Sequence, residues 1–122
     1  MHQFVYDNDF YAPKEFELND TINSDKVKLK TLLFEEKSHL KYEYDFGDGW
    51  VHKVLLEKII PYEKGLILSR CIAGKGNCPP EDCGGIWRYM DMLQIISDPQ
   101  QEEYEDITDW LGEDFDPKYF DL

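Results

Sequence analysis

Positive charge is what this chain is shortest of. Thirteen Lys and Arg stand against twenty-six Asp and Glu in 122 residues, for a formal net charge of −13. Only two of the cations are arginines, Arg70 and Arg88. Neutralising a phosphate backbone takes clustered Lys and Arg, so direct nucleic-acid binding is not expected. The same deficit disfavours docking to an anionic membrane. Long apolar runs are missing too. None approaches the ~20 residues of a membrane span, and no basic-then-apolar leader opens the sequence. Cysteine is scarce: Cys71, Cys78 and Cys83 are the full set. An odd number without secretory context points to reduced thiols and a cytoplasmic protein. Internal repeats and low-complexity stretches are absent.

What is there is enough to fold. Hydrophobic residues make up 42% and aromatics 15%, which places the chain among globular proteins. The length suits one domain over 1–122 with a modest core. Charge is unevenly distributed: after Arg88, eleven acidic residues face the single cation Lys118. Such a run serves either as a solvated helix face or as a docking surface for a basic partner.

The stretch Tyr44–His52 organises the chain. Asp48-Gly49 between β-prone residues is a hairpin signal, because a type I′ turn needs positive φ at both central positions. A two-residue loop there opposes Gly47 to Trp50, Phe46 to Val51 and Asp45 to His52. Side chains alternate along a strand, so Leu40, Tyr42, Tyr44 and Phe46 would share a face with Val51 and Leu55. Asp45 and His52 would meet on the other face, the carboxylate fixing which ring nitrogen carries the proton. That pairing serves as a structural lock or as part of a site. A loop at Gly47-Asp48 would instead oppose Asp45 to Trp50.

Before this hairpin, residues 2–11 read as strand, turn, strand, with Asp7-Asn8-Asp9 at the turn and Pro13 as the stop. Ser24 or Asp25 caps a short helix carrying Val27, Leu29, Leu32 and Leu33; the competing reading is a strand with Lys26, Lys28 and Lys30 alternating. After it, a further strand is expected over Leu66–Cys71, next to the hairpin. Residues 71–85 form a loop rich in Gly, Pro and Cys. Helices follow over about 86–97, with Ile86, Met90, Leu93 and Ile96 on one face, and about 101–111, with Tyr104, Ile107, Trp110 and Leu111 buried. The aromatic tail 115–120 should pack back. The fold class is α+β: an antiparallel sheet built on the central hairpin, with two C-terminal helices packed on it.

Four features carry a resemblance. Tyr-Asp-Phe-Gly-Asp-Gly-Trp-x-His at 44–52 is followed by Cys-x6-Cys-Pro-Pro-Glu-Asp-Cys-Gly-Gly at 71–85. An aromatic-rich helix and Trp110…Phe115-Asp116-Pro117 complete the set. The pattern resembles the plasmid Ri Orf-three-like family, whose members are often labelled TnpR-resolvase-like. The likeness runs from about His2 to Phe120. It implies a small α+β domain of prokaryotic, mobile-element origin and supplies no activity. A serine resolvase needs a nucleophilic serine amid arginines, and two arginines do not provide that setting. The resemblance also implies that a strand pair and a helix usual ahead of His2 are missing here. A shortened sheet would expose an edge and an apolar patch, so self-association, as a homodimer, is expected.

Two clusters of chemistry-bearing residues stand out. Cys71, Cys78 and Cys83, with His52 as a fourth ligand, have the donor types zinc prefers, and Glu81 or Asp82 would substitute for one. The spacing lacks any Cys-x2-Cys pair, and buried thiols acting as small hydrophobes are the alternative. Asp45, Asp48, His52, Glu81 and Asp82 would form a polar cluster if the cysteine loop folds over the hairpin tip. Carboxylates with an imidazole suit acid–base or metal-assisted hydrolysis. Nothing in the spacing selects a reaction. The favoured function is a non-enzymatic protein-interaction or regulatory module; the alternative is a zinc-binding or metal-assisted hydrolytic domain.

Overall fold

A computed structural model describes all residues, 1–122. Its contacts divide into two compact units, Met1–Tyr62 and Glu63–Leu122. The first holds a five-stranded sheet: β1 (His2–Tyr6), β2 (Asp9–Ala12), β3 (Thr21–Asn23), β4 (His39–Tyr44) and β5 (Trp50–Leu55), with a one-turn helix α1 (Leu29–Leu32). The second holds α2 (Gly85–Ile96) and α3 (Tyr104–Leu111). The class is α+β. No helix is long and apolar enough to cross a membrane.

Sheet order is β3-β2-β1-β4-β5, antiparallel except for the β2–β3 pair. The first hairpin turns at Asp7-Asn8, within the expected Asp7-Asn8-Asp9 turn, and Asp9 pairs with Tyr6. Asp7 (φ 48°) and Asn8 (φ 66°) both take the left-handed conformation, which short polar side chains tolerate best after glycine. Pro13, buried, ends β2, and β3 returns parallel to it. The Ser24–Leu33 stretch makes two short helical turns rather than one helix, because Val27 reverts to extended backbone between them. The cap is Asn23, whose side chain accepts from the Asp25 amide at 3.1 Å, not Ser24 or Asp25.

The strand expected over Leu66–Cys71 does not form. Ser69 sits at φ 58°, which a strand cannot carry. β1 holds the place beside β4 instead, in register His2↔Tyr44 through Val5↔Lys41, and Gln3 Nε2 donates to the Glu43 carboxylate at 2.7 Å. β5 is thus an edge strand.

One sheet face carries Phe4, Tyr11, Leu40 and Tyr42. Tyr11, Leu33 and Leu40 are buried, and Val27, Leu29 and Leu32 join Phe4, Tyr11 and Leu40 around an apolar cavity of about 90 Å³. Burial, then the neighbouring Asp9, Tyr6 and Asp7, pushes the Tyr11 phenol above its usual range. A raised folded-state value means that the native state holds this proton more tightly than the unfolded chain does. The resulting stability is present below the ordinary tyrosine value of 10.0 and is lost as pH rises through the raised one. Thermal melts from pH 9 to pH 11 should therefore fall less steeply in Tyr11→Phe than in the parent. An unchanged slope would show that this phenol is not linked to folding.

In the second unit, α2 buries Tyr89, Met92 and Ile95 and leaves Ile86, Trp87 and Met90 exposed, Trp87 at 81%. The expected stripe through Ile86 and Met90 is therefore off by one position. Apolar residues surround this helix on nearly every side, so periodicity alone does not choose a face. Gly84, at φ 97°, turns the chain into α2. α3 buries Ile107, with Tyr104 and Leu111 half-buried, but Trp110 is 50% exposed rather than packed away. The tail packs back only in part: it docks on residues 74–77, while Tyr119 and Phe120 stay 57% and 41% exposed. The Asn77 amide donates to the Pro117 carbonyl at 3.0 Å, Asn77 Nδ2 to the Asp116 carbonyl at 3.1 Å, and the Phe120 ring lies against Gly74.

Candidate functional site

The candidate residues of the first unit lie at the tip of the β4–β5 hairpin, in a register that differs from the expected one. Tyr44 pairs with Trp50 and Tyr42 with His52, leaving a five-residue loop, 45–49. Asp45 closes it. At φ 56° its side chain turns back, and Oδ1 accepts from the Gly47 amide at 3.1 Å and the Asp48 amide at 3.4 Å. Its carbonyl accepts from the Gly49 amide at 2.6 Å. These bonds end β4 at Tyr44, three residues before the expected end. A shift by an odd number exchanges the faces. His52 therefore joins the face of Tyr42 and Tyr44, while Val51, 61% exposed, and Leu55 go to the other. Asp45 does not pair with His52. The histidine is exposed, its Nδ1 lies 3.2 Å from the Tyr42 carbonyl, and its ring tilts over that of Tyr42 at 5.5 Å. An Nδ1–H donated to that carbonyl leaves Nε2 as the acceptor nitrogen. Asp48 is half-buried in the same loop.

The other candidates lie in the second unit. Cys71 and Cys78 are exposed, their Sγ atoms near the carbonyls of Ala73 (3.2 Å) and Pro79 (3.4 Å), and Cys83 is buried. Burial, then Cys83 and Cys78, raises the Tyr89 phenol above its usual range, so both thiols lie within electrostatic reach of that ring. Within neither unit do three His, Cys, Asp or Glu side chains gather closely enough to hold a metal ion. Glu81 and Asp82 are exposed, and Asp82 takes a left-handed conformation at φ 56° just before Cys83.

Asp82 also belongs to a feature whose parts lie far apart along the chain. It lines an open groove of about 420 Å³ together with Arg88 and Met92 of α2 and Asp106, Ile107 and Trp110 of α3; Cys83 lies beside it. Met92 and Ile107 are buried and make an apolar floor. Arg88 is held by Asp91 at 2.7 Å and Glu103 at 3.5 Å. No ion pair engages Asp82 or Asp106. The signal for this feature was the spacing of Asp106 and Trp110, four apart on α3 and so on one side of it.

Comparison with known proteins places the chain. An uncharacterised protein of Sinorhizobium fredii, y4hQ, is 39% identical over 72 residues, a stretch that covers 59% of this chain and 37% of that protein. The chain thus spans well under half the length of that relative. A crystal structure of a protein of unknown function from Methanosarcina mazei Go1 superposes with a TM-score of 0.87 at 42% identity, over 99% of this chain and 70% of that one. The model of the plasmid pRiA4b ORF-3-like proteins matches residues 1–122, across both units, and the chain belongs to that family.

Proposed function

We propose that this chain is a non-enzymatic protein-interaction module whose C-terminal unit receives a basic partner. The observation that carries the proposal is uncompensated acid on the second unit. Fourteen acidic side chains there meet five basic ones, and Arg88 is the only one of those cations in an ion pair. On α3 and the turn before it, Glu102, Glu105 and Asp109 are exposed. Negative charges held this densely make the local potential strongly negative, which draws in a cationic partner and repels nucleic acid. The hairpin tip supports the same reading from the other side: Asp45 is engaged by backbone amides of its own turn rather than by His52.

The test is a binding titration with a labelled peptide of alternating lysine and glycine. Reversing Glu102, Glu105 and Asp109 to lysine should weaken binding by about tenfold or more, a difference of ~1.4 kcal/mol. Reversing the exposed Glu15, Glu35 and Glu57 of the first unit should weaken it much less. The affinity should also fall as salt shortens the Debye length to about 8 Å. Equal losses from both sets of reversals, or no binding by the parent, would refute the proposal.

A further inference from the structure

We infer that the groove between α2 and α3 seats one lysine or arginine side chain of a basic protein segment. The inference rests on the interaction-module reading and gives it a residue-level seat. A lysine or arginine has an apolar stem and a cationic head, and it binds best where both are matched. Met92 and Ile107 supply a buried apolar floor for the stem. Trp110 lines the groove and is 50% exposed, and an indole within about 6 Å of a cation attracts it through the ring quadrupole. Asp82 and Asp106 supply two carboxylates with no ion-pair partner. The one cation at the groove, Arg88, is occupied by Asp91 and Glu103 and so does not neutralise them. Charge complementarity selects the occupant. An acidic or phosphorylated segment would meet repulsion, and a wholly apolar one would leave the two carboxylates against an uncharged surface without counter-charge.

The experiment compares the full chain with variants, using the same lysine–glycine peptide and a version with every lysine acetylated. The double variant Asp82→Asn/Asp106→Asn should bind the lysine peptide about tenfold more weakly than the parent. Trp110→Leu should lose several-fold, and Trp110→Phe, which keeps an aromatic ring, less. The control Glu113→Gln/Asp114→Asn removes the same charge outside the groove and should stay within about twofold. Circular dichroism confirms folding of each variant; should Trp110→Leu unfold, the carboxylate pair decides alone. If the parent binds and the groove pair loses no more than the control, the groove is not the seat, while the acidic-surface reading survives. If the parent binds no lysine peptide, both readings fall. Equal binding of the acetylated peptide would make the occupant apolar, and a dimer that competes with the peptide would make it a second copy. Either result overturns the inference.

Discussion

Leu40→Ala should destabilise the protein by about 3–5 kcal/mol, the upper part of the range for such truncations. Leu40 is 2% exposed, the one large side chain buried almost completely. It sits on β4, the strand that joins the β5 hairpin to the rest of the sheet. It also borders the cavity of about 90 Å³ shared with Phe4, Tyr11, Leu29 and Leu32. Truncation there would enlarge an existing void rather than let neighbours close in, and the cost rises with the cavity left behind. Domains of this kind have stabilities of roughly 5–15 kcal/mol, so a large share would be lost. Urea denaturation is the measurement. Val51→Ala, on the exposed face of β5, is the matched control and should stay within about 0.5 kcal/mol. A Leu40→Ala loss under ~1 kcal/mol would mean that the sheet does not have its core at this position.

Gly84→Ala should cost about 2–3 kcal/mol and should loosen the start of α2. Two effects add. The backbone sits at φ 97°, where an L side chain costs roughly 1–2 kcal/mol. A Cβ at this position would also come within 2.9 Å of Arg88 Cβ. That atom is fixed to the helix backbone and cannot swing aside like the end of a long side chain. Gly49→Ala separates the two effects. It too has positive φ, 72°, but a Cβ there meets nothing within 4 Å, so only the backbone term of ~1 kcal/mol applies. Equal losses at the two positions would remove the steric contribution. Because Arg88 lines the α2–α3 groove, Gly84→Ala should also weaken peptide binding, whereas Gly49→Ala should not.

Local signals in this sequence proved readable, and pairings at a distance did not. Asp7-Asn8 marked its hairpin because both residues tolerate the left-handed conformation. Both strands of the central hairpin show in the sequence, but their register does not. The Asp48-Gly49 dipeptide suggested a two-residue loop, and the Asx-type bonds of Asp45 prevailed over it. That one substitution of loop type moved His52 to the opposite face and dissolved the expected acid–imidazole pair. The β1–β4 pairing joins residues about forty apart and leaves no local mark. Periodicity marks both helices, yet it does not mark the buried side of α2, since apolar residues ring it. The groove leaves little local mark because its residues come from three separate segments, and only Asp106 with Trp110 shows a spacing that hints at it.

The position of β1 in the middle of the sheet has a consequence for how the protein is made. His2–Tyr6 is made before every strand it pairs with and can close the tight turn with β2 as soon as that strand follows. Its other neighbour, β4, is synthesised some thirty residues later. Until then the nascent ribbon has one bare flank, and two-stranded ribbons are marginal in water. Closing that long gap costs chain entropy before any contact rewards it. The emergence of β4 is thus the event that commits this part of the polypeptide to its final shape, and pausing translation before residue 44 should leave it protease-sensitive.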